Sequence, residues 1–232
     1  IANIVPTDRD EYIIKAITVK DFDTSEYLLF VTKNGMVKKT ELVHYKAQRY
    51  SKPLVAVNLK GNDELLSVTL TDGSKDVFLT TKLGYGLWFN EEEVNVVGVR
   101  AAGVKGINLK EDDEVVNGVV IQGEKEEVIV IATQRGEVKK MKIKEFEKMS
   151  RAKRGLVMLR ELKKDPHRIV GMTVCKNNEG IQLLTNAMRV ETIEVENLSY
   201  SDRYSNGSFV IDIAETGVVE KLWKANIQAN VE

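Results

Sequence analysis

The sequence repeats itself with a period of about 50 residues. Residues 28–35 (LLFVTKNG) recur as residues 77–84 (VFLTTKLG), as residues 128–136 (VIVIATQRG) and, in weaker form, as residues 182–187 (QLLTNA). A threonine marks the same point in each copy, at positions 32, 81, 133 and 185. Such a period is typical of a chain in which one supersecondary unit has been copied, and in which each copy completes its core against its neighbours.

Each copy contains four short runs that are rich in apolar and β-branched residues, and such runs predict strands. The runs cover residues 27–31, 36–40, 54–59 and 65–70; 77–80, 85–89, 106–109 and 115–121; 128–132, 137–143, 156–159 and 168–175; and 181–184, 189–193, 208–213 and 218–223. Asn34-Gly35 predicts a tight hairpin after the first run, because both residues tolerate a positive φ. Four strands per copy predict an all-β, propeller-like array of four-stranded blades.

The copies divide the chain into units of similar length, which we place at residues 26–75, 76–127, 128–180 and 181–225, followed by a tail at 226–232. Residues 1–25 resemble the second half of a further copy, since residues 3–5 and 11–18 match the third and fourth strands. We therefore expect a single domain over residues 1–232 with about five blades, the first of them incomplete.

The overall charge balance is close to neutral, with 34 basic and 35 acidic residues and a formal net charge of −1. The signs are nevertheless separated along the chain: acids gather at residues 91–93 and 111–114, and bases gather at residues 139–142 and 151–154. A neutral protein of this kind can still carry a strongly positive stripe on its surface.

Basic residues recur in the long loop between the second and third strands of each copy. Arginines occur there at positions 49, 100, 151 and 203, at spacings of 51, 51 and 52 residues. A solvated face without a ligand would explain one such residue, but packing gives no reason for an exposed cation to recur. A row of these cations would neutralise phosphates without reading bases. The candidate phosphate-binding residues, in these loops and on the second and third strands beside them, are Lys38, Lys39, Arg49, Lys52, Arg100, Lys105, Lys139, Lys140, Arg151, Lys153, Arg154 and Arg203.

The residues that usually carry catalysis or bind metals form no recognisable set in this sequence. The two histidines, His44 and His167, have no cysteine pair at a zinc-binding spacing, and both are expected at the surface. Cys175 lies in an apolar run and is expected to be a core residue. We therefore expect a domain that is not itself an enzyme and that has no cofactor or metal. No run approaches the ~18 apolar residues of a membrane span, and no membrane partner is expected.

These motifs resemble the C-terminal domain of the A subunits of bacterial type IIA topoisomerases, the family shared by topoisomerase IV and gyrase. The resemblance covers essentially the whole chain and is carried by the pattern Thr-x-x-Gly-x-x-Lys-Lys at residues 32–39 and 133–140, and by residues 99–109 (VRAAGVKGINL). Residues 61–66 (GNDELL) and their echo at 112–116 complete it. The gyrase heptapeptide Gln-Arg-Arg-Gly-Gly-Lys-Gly is absent, and residues 48–53 (QRYSKP) are the nearest segment. The topoisomerase IV branch is therefore favoured over the gyrase branch.

The resemblance implies a β-pinwheel, in which blades exchange strands with their neighbours and DNA bends around the rim. It implies that the domain holds double-stranded DNA without sequence specificity for ATP-dependent strand passage. The catalytic tyrosine would lie outside this chain, in the rest of the A subunit, which works with an ATPase B subunit in the bacterial cytoplasm at the nucleoid.

Two alternatives of other classes also fit a repeated all-β chain. A kelch-like propeller that binds proteins would present apolar or acidic loops at one mouth, and it would bind no DNA. A propeller enzyme would need carboxylates or a metal set in its central channel, whereas the acids of this chain occur in runs typical of turns.

Overall fold

The computed structural model describes residues 11–47, 53–123 and 126–225. In chain order the strands are β1 (Tyr27–Thr32), β2 (Met36–Glu41), β3 (Leu65–Thr71), β4 (Asp76–Thr81), β5 (Tyr85–Asn90), β6 (Val104–Lys105), β7 (Val115–Ile121), β8 (Val128–Thr133), β9 (Glu137–Lys142), β10 (Leu156–Val157), β11 (Ile169–Cys175), β12 (Gly180–Thr185), β13 (Val190–Glu194), β14 (Ser208–Phe209) and β15 (Val219–Lys224). Short 3-10 helices cover Leu42–Tyr45, Glu91–Glu93, Ile143–Glu145 and Val195–Asn197, and one α-helical turn, α1, covers Ile213–Thr216.

The strands form antiparallel sheets, one for each copy, and the predicted all-β array of blades is confirmed. From the inside outward the sheets are β3-β1-β2-β6, β7-β4-β5-β10, β11-β8-β9-β14 and β15-β12-β13. The innermost strands pack in sequence, β3 against β7, β7 against β11 and β11 against β15. They line a shared central cleft of about 580 Å³. The second strand of each copy therefore lies towards the outer rim.

The outermost strand of a complete sheet comes from the next copy along the chain. Strand β6 pairs with β2 of the first copy, β10 with β5 of the second, and β14 with β9 of the third. Each exchanged strand has only two residues, because the chain then turns beneath the neighbouring hairpin, where Gly106 donates its N–H to the Gly35 carbonyl at 2.7 Å. The blades therefore exchange strands, as the resemblance implied. Strands β10 and β14 are shorter than the runs predicted at 156–159 and 208–213, and the strand predicted at 106–109 is wrong, since β6 ends just before it.

Two further predicted strands are wrong. Residues 54–59 and residues 11–18 form no strand, because a strand needs a partner for its backbone groups and no described strand pairs with either segment. The run at residues 3–5 lies outside the described residues. The fourth sheet, within the described part of the chain, has three strands and leaves β13 at its outer edge.

The repeated threonine serves to fix the end of the first strand in its copy. Thr32 donates its hydroxyl to Asp63 at 2.6 Å, and Thr185 donates to the Thr216 carbonyl at 2.6 Å, so each joins its strand to the segment before the innermost strand. In the third copy Thr133 donates instead to the carboxylate of Glu137 at 2.5 Å. The threonine that marks each copy in the sequence therefore makes a buried polar contact at the end of the first strand in the first, third and fourth copies.

His167 contradicts the expectation that both histidines lie at the surface. His44 is exposed, but His167 is 1% exposed and lies where the first copy has Asp63. Its Nε2 donates to the Arg160 carbonyl at 2.6 Å, and its Nδ1 lies 3.4 Å from both carboxylate oxygens of Glu137. A histidine can replace the aspartate here because Glu137 provides the carboxylate that accepts the threonine hydroxyl in this copy. Cys175 is buried, as predicted.

Candidate nucleic-acid interface

The basic loops predicted from the sequence lead into the exchanged strands at the outer rim. We call residues 98–103, 150–155 and 202–207 the crossing loops, since each carries the chain from its own copy to the edge of the preceding sheet. Each loop ends in a glycine with a positive φ, Gly103 at 85°, Gly155 at 82° and Gly207 at 84°. A Cβ at Gly155 would lie 2.3 Å from the Gly86 carbonyl oxygen, so only glycine allows this close approach. These glycines recur at an exact spacing of 52 residues, a signal that the sequence analysis missed.

The glycines also correct the alignment of the loop arginines. Counted back from them, Arg151 and Arg203 occupy the same position, four residues before the glycine, and the second copy has Val99 there. The contacts agree, because the Lys38 ammonium bonds to the Val99 carbonyl and the Lys139 ammonium bonds to the Arg203 carbonyl. The expectation that Arg100 shares this position is therefore wrong by one residue. Arg49 lies outside the described residues.

Arg151 and Arg203 have a packing role that the sequence did not predict. Arg151 donates from Nη1 to the Lys105 carbonyl at 2.7 Å, and Arg203 donates from Nη1 to the Val157 carbonyl at 2.7 Å. Both acceptors are the last residue of an exchanged strand, so each guanidinium holds the exchanged strand of the preceding crossing. Both side chains remain partly exposed, and each keeps further N–H groups for another acceptor.

The first lysine of each strand-two pair is buried, which contradicts the expectation of a solvated cation. Lys38 and Lys139 are each 1% exposed. The Lys139 ammonium donates to the carbonyls of Met158, Arg203 and Ser205 at 2.8, 2.7 and 2.8 Å. Burial lowers the pKa of both lysines to about 8. Their ammonium groups are surrounded by backbone carbonyls and are not presented to solvent.

The second lysine of each pair is buried as well, and it contacts the next copy at another point. Lys39 donates to the Glu91 carbonyl at 2.8 Å, and Lys140 donates to the equivalent Val195 carbonyl at 2.9 Å. Burial lowers the pKa of both groups. These carbonyls begin the short 3-10 helices of the following copy, so the lysines join neighbouring blades.

The exposed candidate cations are fewer than the sequence predicted, and they are concentrated on the rim. Arg100, Lys105, Lys153 and Arg154 are exposed, and none of them forms an ion pair with a carboxylate of the described residues. Lys52 lies outside the described residues. Some other surface lysines are paired, for example Lys148 with Asp76 at 2.8 Å.

Three of these residues meet Arg151 at one crossing. Ala152 donates its N–H to the Gly106 carbonyl at 2.7 Å, and Asn108 donates its N–H to the Lys153 carbonyl at 2.9 Å. The loop 150–155 is thereby packed against the segment that follows β6. We call Lys105, Arg151, Lys153 and Arg154 the basic cluster. Arg100 lies on the preceding crossing loop, so the cations are concentrated at one crossing and are not spread evenly along an arc.

The equivalent crossing of the next copy is chemically different. Its positions that correspond to Lys105, Lys153 and Arg154 hold Val157, Ser205 and Asn206. Only Arg203 retains the charge there, with its guanidinium 4.2 Å from the ring centroid of the exposed Tyr204. The basic cluster is therefore a property of the crossing between the first and second sheets.

Other kinds of site were also sought in the described ranges. No three His, Cys, Asp or Glu side chains lie together in them as a metal site would require. None of the helices in these ranges is long and apolar enough to cross a membrane.

Comparison with known proteins agrees with the repeated all-β fold. The family model described as "DNA gyrase C-terminal domain, beta-propeller" matches residues 26–72, 75–122 and 127–176. The A subunit of DNA topoisomerase 4 from Bacillus subtilis (strain 168) is 58% identical over 227 residues, which are 98% of this chain and 28% of that protein. The protein of the same name from Staphylococcus aureus (strain MSSA476) is 39% identical over 220 residues, 94% of this chain and 27% of that protein. The chain thus spans a little over a quarter of these relatives.

Solved structures agree with these sequence matches. The crystal structure of the C-terminal domain of DNA topoisomerase IV superposes with a TM-score of 0.93 at 61% identity, covering 97% of this chain and 69% of that one. The structure of the DNA gyrase A C-terminal domain superposes with a TM-score of 0.83 at 19% identity, covering 96% of this chain and 73% of that one, a likeness of fold. The resemblance found in the sequence is confirmed, and the chain belongs to the family of DNA gyrase C-terminal domains with the β-propeller fold.

Proposed function

We propose that this chain binds double-stranded DNA on its outer rim, without sequence specificity, as the C-terminal domain of a topoisomerase IV A subunit. The observation that carries the proposal is the basic cluster, together with Arg100, on loops at the outer edge of the blades. Cations without carboxylate partners on protruding loops neutralise phosphates but do not distinguish bases. The topoisomerase IV branch is favoured over a gyrase wrapping domain by the 61% and 19% identities of the two matched structures.

We further propose that DNA held on this rim is bent and presented for ATP-dependent strand passage in relaxation and decatenation. Bending a short duplex by 40–90° costs about 1–6 kcal/mol, which several phosphate contacts can offset. The domain would work with the remainder of the A subunit, through which it would be joined to an ATPase B subunit, in the bacterial cytoplasm at the nucleoid. The cleavage chemistry would belong to that remainder, and no cofactor is expected for this domain.

The number of exposed cations sets the expected salt dependence. Four to six phosphate contacts, from the exposed cations with or without Arg151 and Arg203, give a slope of log K against log salt of about −4 to −5. Affinity should then fall by about 10²–10³-fold between 50 and 200 mM salt. If all twelve candidate residues from the sequence contacted phosphates, the slope of log K against log salt would be much steeper.

The test is fluorescence anisotropy of a labelled 30-base-pair duplex over that salt range. Lys153→Gln with Arg154→Gln should weaken binding and reduce the slope by about 2, because two counterion-releasing contacts are lost. The matched control is Lys163→Gln with Lys164→Gln, two exposed lysines on the loop that leads to the innermost strand β11. Equal effects of the two double variants, or binding that is insensitive to salt, would contradict the proposal and favour a protein-binding propeller.

Bending needs a separate measurement. Donor and acceptor dyes at the two ends of the duplex should approach when the wild-type domain binds, and the change in transfer should be lost at high salt. Binding without any change in the end-to-end distance would leave the domain as a DNA-binding module that does not bend its ligand.

A further inference from the structure

We propose that the buried lysines Lys38 and Lys139 are positioning residues, which hold the crossing loops of the next copy in the conformation that presents their cations to DNA. The proposal rests on the proposed function for its DNA readout, but the loop contacts can be tested without DNA. It replaces the prediction that these two lysines touch phosphates themselves.

The first step is the identity of the acceptors. The Lys38 ammonium donates to the Ala56 and Val99 carbonyls at 2.6 and 2.5 Å, and it lies 3.4 Å from the Tyr45 hydroxyl. Val99 immediately precedes the exposed Arg100 on the crossing loop 98–103. Lys139 likewise bonds to the carbonyls of Arg203 and Ser205 on the loop 202–207. Both ammonium groups therefore fix the backbone of a loop that carries a candidate DNA contact.

The second step is the cost of losing these bonds. A lysine ammonium has three N–H donors, and Lys139 uses all of them on carbonyls. A buried carbonyl left without a donor destabilises its conformation, so removal of the ammonium would release the loop towards water. An unrestrained loop must be ordered again when it binds DNA, which lowers affinity without changing the number of phosphates contacted.

The third step is the second copy, which has no lysine at this position. Leu87 replaces it there and is fully buried. The crossing loop 150–155 is held differently: the Glu93 carboxylate accepts the Arg151 backbone N–H at 2.9 Å, and Arg151 Nε donates to the Glu93 carbonyl at 3.2 Å. Each crossing loop of the described residues therefore has a specific polar restraint. Among the described residues, a buried lysine holds the crossing loop in the copies where the neighbouring 3-10 helix makes no contact like that between Glu93 and Arg151.

The experiment compares Lys38→Met with Arg100→Gln in the same chain. In Lys38→Met, amide hydrogen exchange in residues 98–105 should accelerate at least tenfold while β8 stays protected, and DNA affinity should fall about 3–10-fold with an unchanged salt slope. In Arg100→Gln the exchange rates should be unchanged, and the slope should decrease by about 0.9. Leu87→Met is the control, because it places a methionine at the equivalent position of the second copy, where no lysine is lost.

Two outcomes would overturn the proposal. Unchanged hydrogen exchange in residues 98–105 of Lys38→Met would show that the lysine does not hold the loop. A salt slope reduced by about one in that variant would show a direct phosphate contact. Absence of duplex binding by the wild type would instead contradict the proposed function and leave the exchange comparison valid.

A measurement on the wild type covers the case in which Lys38→Met does not fold. The Lys38 and Lys139 ammonium groups should give slowly exchanging ¹H–¹⁵N signals that stay in place when duplex DNA is added, whereas the Lys105 and Lys153 signals should shift. Fast exchange of the Lys38 and Lys139 signals, or a shift on adding DNA as large as that of Lys105, would overturn the proposal.

Discussion

Replacing Gly155 by alanine should separate the exchanged strand β10 from its acceptor β5. The residue has φ +82°, and the new Cβ would lie 2.3 Å from the carbonyl oxygen, 2.7 Å from the carbonyl carbon of Gly86 and 3.0 Å from the nitrogen of Leu87. All three atoms belong to the backbone of β5, so no side-chain rotation relieves the contact. The pairs Leu156–Gly86 and Val157–Tyr85 must move apart to accommodate it.

The expected magnitude follows from two contributions. The left-handed backbone costs an alanine about 1–2 kcal/mol. Weakening the two-residue pairing and the Met158 N–H bond to the Gly84 carbonyl adds about 2–3 kcal/mol, at roughly 1 kcal/mol for each hydrogen bond. The sum of about 3–5 kcal/mol corresponds to a fall in Tm of roughly 10 °C for a domain of this size.

Gly61→Ala is the matched control, because Gly61 also has a positive φ, of 59°, but no atom lies within 4 Å of the position that its new Cβ would take. Only the backbone contribution applies there, so Tm should fall by about 4 °C. Both values are measured by thermal unfolding followed by circular dichroism. If Gly155→Ala and Gly61→Ala lowered Tm equally, the close approach of the crossing loop to β5 would not be a requirement of the fold.

Three further predictions follow from the buried polar groups. Burial lowers the pKa of Lys139 to about 8, so between pH 8 and the ordinary pKa of 10.5 the unfolded state binds more protons than the folded state. In urea unfolding, the wild type should therefore gain stability relative to Lys139→Met as the pH rises from 8 to 10.5. A stability difference that falls over this pH range would contradict the prediction. His167→Asp would place two buried carboxylates together and should cost about 3 kcal/mol in urea unfolding, most of it recovered by adding Glu137→Met; no recovery would exclude the carboxylate pair as the cause. Burial raises the pKa of Cys175 to about 11, so at pH 8 its reaction with a disulfide reagent should be no faster than unfolding, and rapid labelling of the folded protein would refute its burial.

Much of the fold could be predicted from the sequence because it depends on short-range interactions that recur in each copy. Alternating β-branched runs, the Asn34-Gly35 turn and the recurring threonines each depend on interactions within a few residues or within one sheet. The strands β1, β4, β8 and β12 accordingly lie within a residue or two of their predicted runs. The family could also be identified from the sequence, because its motifs are contiguous stretches of residues.

The candidate site was predicted less well, since a charge pattern does not reveal burial. Lys38-Lys39 and Arg151-Lys153 look alike in sequence, but the former point into carbonyl-lined spaces between blades and the latter lie at the rim. The one-residue error at Arg100 has the same origin, because equivalence in a repeat is set by contacts and not by counting between similar residues.

The sequence by itself determined the type of the repeated unit, most of its strands and its family, because these follow from local propensity and periodicity. Only the tertiary structure decided that an exchanged strand completes the sheet of the preceding copy, and which cations remain for a ligand. The physical reason is that buried backbone carbonyls can accept all three N–H groups of an ammonium, which are then not available to a phosphate. Whether a lysine binds its own protein or DNA is therefore decided by the groups that folding places around it.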